Sequence, residues 1–285
     1  MRLFGVSDLH VDFPDNWQWC QDISSIDFQD DAIIIDGDVS HEMSAIEKTL
    51  RLFKGKFKEV FFIPGNHELW IVGPEKTKFA DSVQKFEAIM ELCKSLGVRT
   101  APLKLKGKVW VVPLFGWYHS SFDTMEGSGE YPASKDQWGD FHNCKWPNMI
   151  FGEDAICEYF IKLNETRVEQ QYDAPVITAS HFLPRIDLLP ARHFLHIKYL
   201  PKVMGTSELE RQLRSIHSAV HLFGHSHINW NSVIDGVHYI QSALRYPRER
   251  KMYATTTNML DFQIWEEDWS ESNMHSHIKS RRGRY

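Results

Sequence analysis

"AVHLFGHSH", residues 219–227, joins an apolar run to a glycine and to two histidines two positions apart, His225 and His227. The run Ala219–Phe223 has the composition of a buried strand. A strand that ends in imidazoles is either followed by a surface turn, in a chain with 15 histidines, or forms one side of a functional site. A site requires partners elsewhere, arranged in the same way and of types that share a chemical task.

Four further apolar runs end alike. Leu3–Val6 leads into "SDLH", with Asp8 and His10, and Ala32–Ile35 into "DGDVSH", with Asp38. Glu59–Ile63 leads into "PGNHE", with Asn66 and His67, and Pro175–Thr178 into "ASHFL", with His181. Gly37, Gly65 and Gly224 stand beside these groups, as expected where backbone turns sharply or approaches a ligand closely.

Helix-compatible stretches at Met43–Phe53, Lys78–Ser95, Asp154–Arg167 and Ser207–Ile216 separate these runs, and a further strand is expected at Val109–Phe115. Strands that alternate with helices predict an α/β layered fold. Residues 228–244 and 258–268 alternate in the β manner, with Asp235-Gly236 as a hairpin turn, so antiparallel strands are expected to close the fold. Residues 116–147 are rich in Trp, Gly, Ser and Asp with weak periodicity and predict a loop insertion over the core. We find no repeat or linker, and 1–285 is read as a single domain.

Bulk properties narrow the function. The composition is 42% apolar and 25% charged, with no apolar run long enough to span a membrane. The first residues lack the apolar core of a secretory signal. Cys20, Cys93, Cys144 and Cys157 form no CxxC pair, which suits a reducing cytoplasm and gives no thiolate zinc site. A net charge of −6 argues against long nucleic acid as the partner. Lys279, Arg281, Arg282 and Arg284 are read as a solvated tail. P-loop, HExxH, GxSxG and GxGxxG motifs are absent. The sequence carries no signal for an oligomeric state.

In an open α/β sheet, loops converge at the carboxyl ends of the strands. Asp, His and Asn gathered there make a mixed O/N donor set suited to Mn, Fe or Zn. The candidates outnumber the ligands of one tetrahedral ion, so two divalent ions that share a carboxylate are expected, a recurring device for phosphate ester hydrolysis. Mn is favoured, with Fe and Zn as alternatives.

The motifs DxH, GD, GNHE, a lone His and GHxH, in this order over residues 8–227, resemble the signature of calcineurin-like metallophosphoesterases. The resemblance implies a four-layer α-β-β-α sandwich of two mixed β-sheets flanked by helices. It assigns Asp8, His10 and His227 to one metal and Asn66, His181 and His225 to the other, with Asp38 as bridge. His67 is implied to contact the phosphoryl group or protonate the leaving oxygen. The implied reaction is attack on a phosphate ester by a hydroxide held between the metals, so Asp38 and His67 are the catalytic candidates.

The expected substrate is a small phosphorylated metabolite, nucleotide or short oligonucleotide, cut as a monoester or diester. The alternatives are an Mre11-like nuclease and a binding scaffold without turnover. His41, Trp117, Tyr118, His119, Arg185, Arg245, Arg248 and Arg250 stay outside the predicted site, because solvent exposure, core packing or surface ion pairs account for such residues.

Overall fold

Ala32–Asp36 is apolar at all but its last position, and the computed structural model shows why: both faces of this strand are covered. Ile34 packs between two sheets, while Ile33 and Ile35 face helices. A strand buried on both sides reads as a continuous apolar run. The structure describes residues 1–131, 137–150, 152–270 and 275–277.

The described strands are β1 (Arg2–Ser7), β2 (Ala32–Asp36), β3 (Glu59–Ile63), β4 (Leu103–Leu105), β5 (Val109–Pro113), β6 (Val176–Ser180), β7 (Ser218–Phe223), β8 (Trp230–Ile234), β9 (Val237–Gln241) and β10 (Gln263–Glu266). One sheet has the order β10-β1-β2-β3 and the other β4-β5-β6-β7-β9-β8. β1, β2 and β3 are parallel with β10 antiparallel at the edge, and β5, β6, β7 and β9 are parallel between antiparallel β4 and β8. Both sheets are therefore mixed.

The main helices among the described residues are α1 (Pro14–Asp22), α2 (Met43–Lys54), α3 (Ser82–Leu96), α4 (Asp140–Asn143), α5 (Glu153–Lys162), α6 (Glu165–Glu169), α7 (Ser207–Ser215) and α8 (Pro247–Met252). Trp19 of α1, Leu50 of α2 and Ile89 of α3 pack with Phe4, Ile33 and Phe62 on the outer face of the first sheet. Phe160 of α5 and Leu209 of α7 join the core that also holds Ile34, Val111 and Leu222. The layers are helix, sheet, sheet, helix, as the resemblance implied.

Local departures from the expected elements have local causes. The stretch Asp154–Arg167 is two helices, because buried Asn164 uses its carboxamide on the Phe115 backbone, accepting from the N–H at 2.9 Å and donating to the carbonyl at 2.7 Å. α3 starts at Ser82, where the Asp81 carboxylate accepts from the Gln84 N–H. α1 was not expected; it buries only Asn16, Trp19 and Cys20, too few to print a periodicity. Asp235 and Gly236 have φ of 48° and 83° and turn the β8–β9 hairpin. The described parts of 116–147 form short 3₁₀ turns and α4. Lys279, Arg281, Arg282 and Arg284 lie outside the described residues. Among the described residues no helix is long and apolar enough to cross a membrane.

Candidate metal centre

Five strands, three from the first sheet and two from the second, deliver their following loops to one point. Asp8 and His10 follow β1, Asp38 follows β2, Asn66 and His67 follow β3, His181 follows β6, and His225 and His227 follow β7. The structure brings all eight predicted residues together. Asp8, His10, Asp38 and His227 form one group, and Asp38, His181 and His225 another, each with donor atoms within 4.8 Å of one another. Asp38 belongs to both. The Asn66 Oδ1 lies 3.2 Å from His181 Nε2, which places it with the second group.

The backbone is strained to achieve this. Among the described residues ten non-glycine residues have positive φ, and five of them are Asp8, His10, Asp38, His225 and His227. Such conformations cost energy and gather at functional sites. The Asp8 N–H donates to Gly37 O at 3.0 Å and the His10 N–H to Asp38 O at 2.8 Å, locking the two loops together. A Cβ at Gly65 would collide with Asp38 and His181. Gly224 serves the same end: a Cβ there would lie 2.9 Å from the Ser7 Cβ and 3.1 Å from His181 Nδ1, so close approach, not turning, requires glycine.

Each of three histidines is oriented by its second ring nitrogen. A carbonyl only accepts, so His181 donates from Nδ1 to Asp36 O at 2.9 Å and presents Nε2 to the site. His225 donates from Nε2 to Val203 O at 2.9 Å and presents Nδ1. His227 Nδ1 pairs with the Glu249 carboxylate at 2.7 Å, which leaves Nε2 toward Asp8, 3.4 Å away. Such outer partners fix ring orientation in metal sites.

The electrostatics fit cations. Burial pushes the Asp8 and Asp38 carboxyls up, but His227 beside Asp8 and His181 and His67 beside Asp38 outweigh it, so both are held below the usual carboxylate range. Burial alone would keep His181 and His227 neutral; Asp38 carries His181 up to about 10, and Asp8 with Glu249 carries His227 up to about 10. His225 is pushed down to about 3 by burial and by His181, and His10 also falls, through burial and His227. The two carboxylates are thus held charged by the positive groups beside them, and His10 and His225 stand by as neutral imidazoles. Carboxylate, carboxamide and imidazole donors fit first-row divalent ions.

Four further residues belong to the site's surroundings. Buried Glu68 accepts from the backbone N–H groups of Asp38, Val39 and Gly65 at 2.9, 2.6 and 2.7 Å and ties the β2 and β3 loops. Its sequence signal was its place in GNHE. Asp140 accepts from Asn66 Nδ2 at 2.8 Å, from Trp70 Nε1 at 2.6 Å and from Trp138 Nε1 at 2.8 Å. Glu249 and Tyr246, whose ring lies 4.3 Å from His10, come from the Arg-rich segment. Neither Asp140 nor Glu249 carried a sequence signal.

The residues left outside the predicted site divide. Trp117 is core, and the Tyr118 ring packs parallel to His225 at 6.3 Å. His119 pairs with Asp154, and Arg185 with Asp187, Glu210 and Asp235. The His41 carbonyl accepts from Lys85, Arg250 bonds Asn16, and Arg248 is exposed. Arg245 is buried and lines the cavity that opens on the centre.

That cavity has a volume of about 670 Å³, with Asp38, Asn66, His67, His225 and His227 in its wall. Phe194, Leu195, Ile197, Leu200 and Met204 make an apolar wall, and Trp70, Trp138, Tyr246 and Tyr253 add aromatic rings.

Two mixed sheets that bring two groups of candidate metal donors, with Asp38 common to both, beneath such a cavity have the architecture of a metal-dependent phosphoesterase. The profile of the calcineurin-like phosphoesterase family matches residues 1–229, and the chain belongs to that family; it is a phosphoric ester hydrolase. The chain is similar to acyl-carrier-protein phosphodiesterase PptH of Mycobacterium tuberculosis, at 24% identity over 273 residues, 90% of this chain and 83% of that protein. The crystal structure of the phosphopantetheinyl hydrolase PptH from that organism matches with a TM-score of 0.73 at 22% identity, covering 88% of this chain and 92% of the other, and so shares its fold.

Proposed function

We propose that the chain hydrolyses a phosphodiester whose organic arm is borne on a protein, a phosphopantetheinyl group on a carrier protein being the first candidate. The observation that carries this reading is the cavity: site residues in one wall and an apolar wall from Phe194 to Met204. An extended arm with apolar and polar stretches suits such walls. Phe194, Ile197 and Tyr253 also reach solvent, at 72%, 42% and 56% exposure, as expected where a second macromolecule rests on the opening.

In this reading Asp8, His10, Asp38 and His227 hold one divalent cation, and Asp38, Asn66, His181 and His225 the other, with Mn favoured. When bound, two such cations activate water and neutralise the phosphoryl oxygens. The chain does the rest. Asp38 spaces and balances the charge. His67, stacked on Trp70 at 3.8 Å and 3.8 Å from Asp38, faces the cavity and gives a proton to the leaving oxygen. The family similarity to PptH supports the diester over the monoester. A second reading, a nucleotide or short oligonucleotide, draws on the aromatic rings of the same cavity, which suit stacking on bases. The four cysteines are free, which supports a cytoplasmic setting.

Mass spectrometry of a phosphopantetheinylated carrier protein incubated with the Mn-loaded chain tests this. Loss of the arm, together with faster hydrolysis of bis-p-nitrophenyl phosphate than of p-nitrophenyl phosphate, is expected. An untouched carrier and a preference for the monoester would contradict it.

A further inference from the structure

We infer that Asp140 is a positioning residue that decides which end of the Asn66 carboxamide faces the cation site. The inference rests on the proposed metal-binding role of Asn66. A carboxamide presents an oxygen on one side and an NH₂ on the other, nearly equal in size and opposite in polarity. Only the oxygen can ligate a cation; a half-turn about the last side-chain bond would aim two N–H donors at it. Shape alone cannot select between the two, so something beside Asn66 must.

Asp140 is that neighbour. Its Oδ1 lies 2.8 Å from Asn66 Nδ2, and Asn66 Oδ1 is left facing the centre, 3.2 Å from His181 Nε2. A carboxylate offers only acceptor atoms, so it holds the NH₂ and rejects the amide oxygen. Asp140 is itself held by the indole N–H groups of Trp70 and Trp138, at 2.6 and 2.8 Å, and is 3% exposed. Three N–H donors on one buried carboxylate leave it little freedom to turn. The residue stands 74 positions from Asn66, on α4, within the stretch that no periodicity explained. Part of that stretch thus reaches the site as a support for Asn66.

The test is a Mn²⁺ titration, read by calorimetry and by the electron paramagnetic resonance of the bound ions, on the wild type, Asp140→Ala and the double variant Asn66→Asp with Asp140→Ala. In Asp140→Ala one ion is expected to bind about 10- to 100-fold more weakly, as when an outer partner of a ligand is removed, while the other is unchanged. Aspartate at 66 has oxygen on both sides and needs no orienting partner, so the double variant is expected to recover the second ion. Two ions bound with wild-type affinity by Asp140→Ala would overturn the inference. So would a double variant as weak as Asp140→Ala, because that result makes Asp140 a general support of the fold. A wild type that fails to bind two ions would instead overturn the metal assignment beneath it.

Discussion

Glu249 Oε2 lies 2.7 Å from His227 Nδ1, and this contact leaves the other ring nitrogen of His227 to face Asp8 and His10. Glu249 stands beyond residues 1–229, the part of the chain that the family profile matches. The segment from Arg245 to Tyr253 therefore supports the centre: its first N–H donates to Asp8 O at 3.2 Å, and Tyr246 packs against both His10 and His227.

Replacing Glu249 by Gln keeps an acceptor near His227 but removes the charge that fixes the ring and raises its basicity. We expect Mn²⁺ affinity to fall about tenfold, within the range for outer partners of metal ligands. Calorimetric titration checks this, and an unchanged dissociation constant would remove Glu249 from the account.

His67 should be separable from the ligands. His67→Ala is expected to keep the Mn content of the wild type and to lower kcat for a diester by about 10²- to 10⁴-fold, the usual worth of a general acid. The loss should shrink for a substrate with a good leaving group such as p-nitrophenolate, which needs little protonation. Metal analysis beside steady-state rates for alkyl and aryl diesters distinguishes this from loss of an ion.

Glu68 carries a stability prediction. It is fully buried and accepts backbone N–H groups from both the β2 and β3 loops. Glu68→Ala would leave those donors without a partner, at a cost of about 2–4 kcal/mol in urea unfolding of the metal-free protein. A cost below about 0.5 kcal/mol, the range of ordinary surface changes, would show that the loops are held by other means.

Lys85 carries a pH dependence. Its ammonium is buried against the carbonyls of His41 and Trp70, at 2.5 and 2.7 Å, and burial pushes it down to about 8 from 10.5. Between pH 8 and 10.5 the unfolded chain keeps a proton that the folded chain has released, so stability rises with pH in that window. Below pH 8 both states are charged and the folded state bears the burial cost. Relative to Lys85→Met, the metal-free wild type should gain on the order of 2–3 kcal/mol between pH 8 and 10.5. A flat or falling difference in denaturant midpoints would contradict the burial argument.

Much of the fold was legible because its signals are local. Each strand that ends at the centre is an apolar run, and β2 and β7 are buried along their whole length, so their composition needs no partner to be read. Asp8, Asp38, His225 and the rest could be gathered because each directly follows such a run. Asn164 broke an expected helix because its side chain bonds the Phe115 backbone, a contact 49 positions away that periodicity cannot show. Asp140 and Glu249 were missed for the same reason: each acts on a residue distant in sequence, and each sits in a stretch that reads as surface or loop. A turn and a close approach were both open for Gly224; what it provides is room, and only the packed neighbours Ser7 and His181 reveal that.

Asp38 stands in both donor groups, and as a shared ligand it would hold two cations close together. The Mn²⁺ bound per chain and its electron paramagnetic resonance, in the wild type and in Asp38→Asn, decide whether Asp38 is shared. Two magnetically coupled ions are expected in the wild type and no coupled pair in the variant. A single ion in the wild type, or a coupled pair that survives Asp38→Asn, would contradict a shared Asp38.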